Sequence, residues 1–155
     1  MKNEQWLTDD HHAVNRKIKE VLDFIENGYM DTDEFSDIES GLQKHIFFEE
    51  TILFPSLDKG DLRTHQLMEG LKMEHAALWK LMEIINKEIE EEKFIKTEKS
   101  LSEMLLILKT HNENEERNIY NKIEENSKVD TFNIENMQLP SDFICEKLRN
   151  RYIKK

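Results

Sequence analysis

At 155 residues the chain has the size of one ordinary domain, and 33 acidic against 22 basic residues give a formal net charge of −11. That charge excludes nucleic acid and anionic membrane as partners, because both require a basic surface. Only four glycines and two prolines, in a sequence rich in Glu, Lys, Leu, Ile and Met, exclude a turn-rich sheet protein and predict an all-α fold.

Thr8-Asp9-Asp10 reads as a helix start, a capping hydroxyl followed by acids in the first turn. His11, Val14, Ile18, Val21, Leu22 and Ile25 then recur at helical spacing, and Gly28 predicts the stop. A second helix fits Thr32 to about Leu57, with Leu42, His45, Glu49, Ile52 and Leu53 on one face. Pro55 is expected to kink or end it. After the break at 58–61, a third helix runs from about Leu62 to Glu91, aligning Leu71, His75, Leu78, Met82 and Ile85. A fourth covers roughly Thr97 to Glu125, aligning Leu101, Leu108, His111, Glu115 and Ile119. The connections are short, so the expected architecture is an antiparallel up-down-up-down four-helix bundle over residues 1–126. Residues 127–155 form a tail in which Pro140-Ser141-Asp142 opens a short helix through Phe143, Leu148 and Tyr152, packing on or extending the bundle.

No apolar stretch approaches the ~20 residues that span a bilayer, and Met1-Lys2-Asn3-Glu4-Gln5 begins no signal-peptide core. A single cysteine, Cys145, excludes an internal disulfide and is expected to be a small apolar contact. The expectation is a soluble, cytoplasmic protein.

The anomaly lies in the apolar stripes. A buried charge is costly unless it is paired or binds a metal, yet His11, His45, His75 and His111 all fall on predicted inner faces. Two of them are followed four residues later by glutamate, as His45…Glu49 and His111…Glu115, a spacing that puts both side chains on one side of a helix. The pattern repeats: the interval from His11 to His75 nearly equals that from His45 to His111 and from Glu49 to Glu115. An acid precedes each lone histidine (Asp10, Glu74), and another follows each paired glutamate (Glu50, Glu116). Two such halves about a pseudo-twofold axis would bring four imidazoles and two carboxylates together. That set suits iron, with manganese and zinc as lesser candidates. One inward histidine is usually a satisfied core residue, and one His-x-x-x-Glu is weak; four histidines with two repeated pairs point to metal. His12 falls on the polar face and His65 at the open end of the third helix. Phe47, Phe48, Phe54 and Trp79 read as core packing.

From about Leu7 to Ile123 the sequence resembles a hemerythrin-like, HHE cation-binding domain. The resemblance rests on Asp10-His11, His45-Ile-Phe-Phe-Glu49-Glu50 with Leu53-Phe54-Pro55, Glu74-His75 and His111-Asn-Glu-Asn-Glu115-Glu116. The two His-x-x-x-Glu pairs are similar to the repair-of-iron-centres branch, which is linked to nitrosative and oxidative stress. The resemblance implies that Glu49 and Glu115 bridge two irons, with His11, His45, His75 and His111 as terminal ligands. Oxygen-carrying members place a fifth histidine where this chain has Trp79, and an aspartate at longer spacing where it has Glu115. Iron-centre repair proteins carry an extra N-terminal domain with a cysteine pair, which is not found here.

Two divalent ions bring four positive charges and two glutamates return two, so an oxo or hydroxo bridge is expected to supply the rest. Positions left open on iron would take dioxygen, nitric oxide or peroxide. Glu50, Glu74 and Glu116 are expected to orient the ligating histidines. Two functions follow: a redox-active di-iron protein that senses or consumes small oxidants or donates iron to an acceptor protein, or a non-catalytic iron store or sensor acting through a partner.

Overall fold

The computed structural model describes residues 2–153, with side-chain surroundings for 3–149, and among them every regular element is helical. The elements are α1 (Lys2–Glu26), α2 (Thr32–Phe48), a π-helical turn (Glu49–Leu53), α3 (Phe54–Leu57), α4 (Leu62–Glu90), α5 (Phe94–Asn118), a 3₁₀ turn (Tyr120–Lys122), α6 (Lys128–Thr131) and α7 (Glu146–Ile153). Helix α1 packs on α2 and α5, and α4 packs on α5 and α2. The Asp31 side chain accepts the Glu34 N–H at 2.9 Å and Asp61 accepts that of Thr64 at 3.1 Å, which caps α2 and α4 where the acids precede the apolar stripes. Gly28 ends α1 as expected; its φ of +82° is the left-handed conformation that a side chain would strain.

Four boundaries differ from expectation. Helix α1 begins at Lys2, ahead of Thr8, because its first turns dock on the tail. Asn3 donates from Nδ2 to the Val129 and Phe132 carbonyls at 2.6 and 2.9 Å, and its N–H donates to Asp130 Oδ1 at 3.2 Å. Helix α5 begins at Phe94, so Thr97 lies inside it and turns its hydroxyl back to the Lys93 carbonyl. At its other end α5 stops at Asn118 and a tighter 3₁₀ turn follows, so the fourth helix does not run unbroken to Glu125. In the tail, α7 opens at Glu146, later than Pro140. Phe143 precedes it and meets Phe47 and Trp79 edge-on at 4.9 and 5.7 Å. Leu148 and Cys145 are buried, while the Tyr152 side chain lies outside the described residues.

Buried apolar side chains form two clusters rather than one. Val14, Ile18, Leu42, Leu78, Met82 and Leu108 belong to the first; Leu7, Phe48, Leu71 and Ile119 belong to the second. Each histidine falls between them along its own helix: Leu7 and Val14 flank His11, Leu42 and Phe48 flank His45, Leu71 and Leu78 flank His75, and Leu108 and Ile119 flank His111. A polar layer therefore divides the core.

Candidate metal centre

The six residues singled out by spacing, His11, His45, Glu49, His75, His111 and Glu115, all meet in that layer, none more than 5 % exposed. They form two tetrads that could each hold an ion and share both glutamates: His11, His45, Glu49 and Glu115 in one, Glu49, His75, His111 and Glu115 in the other. The inner ring nitrogens face the carboxylates. His11 Nε2 lies 3.2 Å from Glu115 Oε1, His45 Nε2 is 3.2 Å from Glu49 Oε2, and His75 Nε2 is 3.1 Å from Glu49 Oε1. His111 Nε2 completes the set at 3.3 Å from Glu115 Oε1.

Each outer ring nitrogen meets a carboxylate of its own. His11 Nδ1 meets Glu116 and His45 Nδ1 meets Asp10, both at 2.8 Å. His75 Nδ1 meets Glu50 at 2.8 Å and His111 Nδ1 meets Glu74 at 2.7 Å. The pairing obeys the repeat: the acid after each shared glutamate holds the lone histidine of the other half, and the acid before each lone histidine holds its neighbour in the same half. An ionised carboxylate only accepts, so Nδ1 donates and a neutral ring keeps its Nε2 lone pair for the centre. Four histidines held in this way, with Nε2 converging on two buried glutamates, form two groups that could each hold a metal ion. Glu115 Oε2 adds to the fit: it is buried without a hydrogen bond, with His75 Nε2 3.9 Å away.

The π-helical turn helps to build this arrangement. It starts at Glu49, and Glu49 and Glu50 are both buried although consecutive in sequence; each meets His75, one at either ring nitrogen. Such wide turns recur at functional sites. Pro55, which has no N–H to give, sits at the start of α3 just beyond it.

The charges interlock. Burial opposes a charged His111 ring, but the Glu115 carboxylate and the hydrogen bonds of Glu115 and Glu74 outweigh it and raise its pKa to about 9. Burial likewise opposes charge on His45 and His75, and their carboxylate partners raise both well above the usual imidazole range. Burial would raise Glu115, but the charge of His111 and the close approach of the His11 and His111 rings hold it well below the usual carboxylate range. The buried carboxylates thus favour positive charge among the rings.

One member of the layer escaped the sequence reading. Tyr120, fully buried, donates its hydroxyl to Glu49 Oε2 at 2.5 Å and lies 3.0 Å from Nε2 of both His11 and His45. It is also 3.1 Å from Glu115 Oε1. No spacing rule marks it, because it belongs to the 3₁₀ turn beyond α5. Beside the tetrads lies a cavity of about 10 Å³ walled on its apolar side by Val14, Leu42, Ile46, Leu78 and Leu108, close to the room one water needs. The other histidines stand apart: His12 is exposed, and exposed His65 pairs with Asp58 at 3.0 Å. Phe48, Phe54 and Trp79 are buried, Phe54 stacking flat on His75 at 5.9 Å. Burial pushes the Cys145 thiol up to about 11.

The family model of the hemerythrin HHE cation binding domain matches residues 4–123. No curated protein and no solved structure matches the chain. The chain belongs to the hemerythrin HHE cation-binding family, with a buried His/Glu cluster that could bind metal and no helix long and apolar enough to cross a membrane among the described residues.

Proposed function

We propose, starting from that membership, that the chain is a non-haem di-iron protein that reacts with or senses dioxygen, nitric oxide or peroxide in a stress response or in iron-centre repair. The observation that carries the reading is the pairing of all four buried histidines with outer carboxylates, which leaves four Nε2 atoms and two glutamates converging. In this reading His11, His45, His75 and His111 would be the histidine ligands, and Glu49 and Glu115, members of both tetrads, would serve both metals. Iron is preferred over manganese or zinc for such a mixed imidazole and carboxylate set. When bound, the pair supplies one-electron chemistry at each metal. The protein's own contribution is to fix the rings through Asp10, Glu50, Glu74 and Glu116, and to limit access to molecules of a few atoms through the narrow apolar cavity.

The same reading takes residues 1–126 as an antiparallel up-down-up-down four-helix bundle and 127–155 as a segment packed on it. In support, the two apolar clusters are met in reversed order from each long helix to the next, and α7 packs against α4. It assigns the protein to the cytoplasm, where a lone thiol such as Cys145 stays reduced.

The second reading is an iron store or sensor that signals through a protein partner. It is favoured by one contact: the Glu146 N–H donates to Glu50 Oε1 at 2.8 Å while Glu50 Oε2 holds His75, so α7 is tied to the site through one carboxylate. Turnover of peroxide or nitric oxide by iron-loaded protein, measured beside the rate of iron release, separates the two. Multiple turnovers without loss of iron support the first reading; no turnover, with release to an acceptor, supports the second.

A further inference from the structure

We propose that Tyr120 is a metal ligand: its phenolic oxygen binds the ion held by His11 and His45, and the ion held by His75 and His111 has no counterpart among the described residues. The inference rests on the metal site proposed above and carries it further, because it makes two metals with the same protein donor types chemically distinct.

The geometry is one-sided. The hydroxyl stands within 3.1 Å of a donor atom from every member of the first tetrad, Glu49 and Glu115 on the carboxylate side and His11 and His45 on the imidazole side. It thus occupies the middle of the place an ion would take. Metal–ligand bonds to nitrogen and oxygen are about 2.0–2.2 Å, so an arriving ion must move this oxygen by only an ångström or two. The ring has little freedom to retreat further. It is fully buried, stacks on His11 at 5.4 Å with 28° between the planes, and packs in the cluster with Leu7, Phe54 and Ile119. The oxygen therefore stays within bonding reach of the ion. In the second tetrad, among the described residues, no hydroxyl contacts the inner nitrogens of His75 or His111.

Charge points the same way. Two divalent ions facing Glu49 and Glu115 keep two positive charges in a closed, apolar surround, where unbalanced charge is costly. Coordination exchanges the phenolic proton, released to solvent, for a metal–oxygen bond and brings one more negative charge into the layer. Nothing is oxidised in that exchange. The break after Asn118 is what makes it feasible: on a continuing α-helix, Tyr120 would point about 140° away from Glu115.

The test uses the full chain loaded with two ferrous ions and oxidised in air. A phenolate on ferric iron gives a visible charge-transfer band, and excitation within it enhances tyrosine ring vibrations in the Raman spectrum. The expected result is that band in the native chain and its loss in Tyr120→Phe, with two irons still bound per chain. If Tyr120→Phe fails to fold, the double variant Tyr29→Phe/Tyr152→Phe decides, because Tyr120 is then the only tyrosine left of three. Enhanced ring vibrations in that variant support the assignment. Two bound irons with no enhanced tyrosine vibrations overturn it and leave the di-iron reading standing, whereas failure of the native chain to bind iron overturns both.

Discussion

The two halves of the polar layer share one arrangement of histidines and glutamates and differ in what surrounds it. Around His11 and His45 the outer carboxylates Glu116 and Asp10 remain partly open to solvent, and a phenol fills the middle of the tetrad. Around His75 and His111 no phenol is found among the described residues, and Glu50 has only 3 % of its side chain exposed, against 40 % for Glu74. The repeat in the sequence produces the symmetric part: the same residue types, at the same spacing, on facing helices. The asymmetric part comes from segments outside the repeat, the 3₁₀ turn on one side and α7 on the other. A duplicated ligand set can thus give two inequivalent sites without any change among the ligands themselves.

The comparison breaks most completely if a shared residue is removed. Glu49→Gln or Glu115→Gln keeps the shape but takes one carboxylate from both tetrads. Either variant is expected to lose stoichiometric metal binding, read as metal per chain after dialysis. Retention of two metals would exclude both as bridging ligands. The same loss in the two variants would mean that neither half loads alone.

The comparison sharpens when one outer carboxylate is changed at a time. Glu50→Gln weakens the hold on His75 and the tie to Glu146, and a loss of about 10- to 100-fold in affinity is expected for one of the two metals. Glu74→Gln removes a more exposed partner, and a smaller loss is expected. Stepwise titration with a competing chelator resolves the two affinities; equal losses would deny the asymmetry.

The metal-free state offers a test by pH. His111 has a folded pKa of about 9 against an ordinary 6.5, so the stability it contributes is complete below about 6.5 and is lost as pH rises through 9. His45 and His75, raised in the same direction, add to that loss. Glu115, held below 4.5, contributes above that value and loses its contribution as the solution becomes acidic. Denaturant midpoints of the metal-free protein should therefore fall between pH 6.5 and 9. Metal affinity should rise over the same interval, because binding displaces the ring protons. A midpoint that stays level across this range would show that the rings are neutral without metal.

A smaller effect is expected far from the layer. Asn3→Ala leaves the Val129 and Phe132 carbonyls without their side-chain donor, a cost of about 1–3 kcal/mol. His12→Ala and His65→Ala alter exposed side chains, and each should change stability by less than about 0.5 kcal/mol and metal content not at all.

What the sequence made legible follows from the range of the forces involved. Helical periodicity is local, so the four long helices and the inward positions of His11, His45, His75, His111, Glu49 and Glu115 could be read from spacing. Three of the four outer acids, Glu50, Glu74 and Glu116, could be read as well, because each adjoins a site residue in sequence; Asp10 stood out only as the acid before His11, and its hold on His45 appears only in the fold. Tyr120 could not: its approach depends on a helix that ends at Asn118, and an α-helical reading turns it away from Glu115. A tyrosine just past a ligand-bearing helix, followed by a weakened pattern, was the only available signal. The early start of α1 was hidden for the same reason. Asn3 finds its partners at Val129, Asp130 and Phe132, at the far end of the chain, and no local rule anticipates them. In the tail, Pro140 suggested a helix start, but Phe143 is drawn onto Phe47 and Trp79 before the helix begins, so packing sets the register.

The central claim, a metal pair in the shared layer, is tested most directly by the metal content of untagged protein reconstituted with ferrous iron and then exposed to air, read with its visible spectrum. The account predicts two irons per chain and ferric absorption. A chain that stays helical and binds no iron would contradict it, and would mean that the converging histidines and glutamates serve only one another.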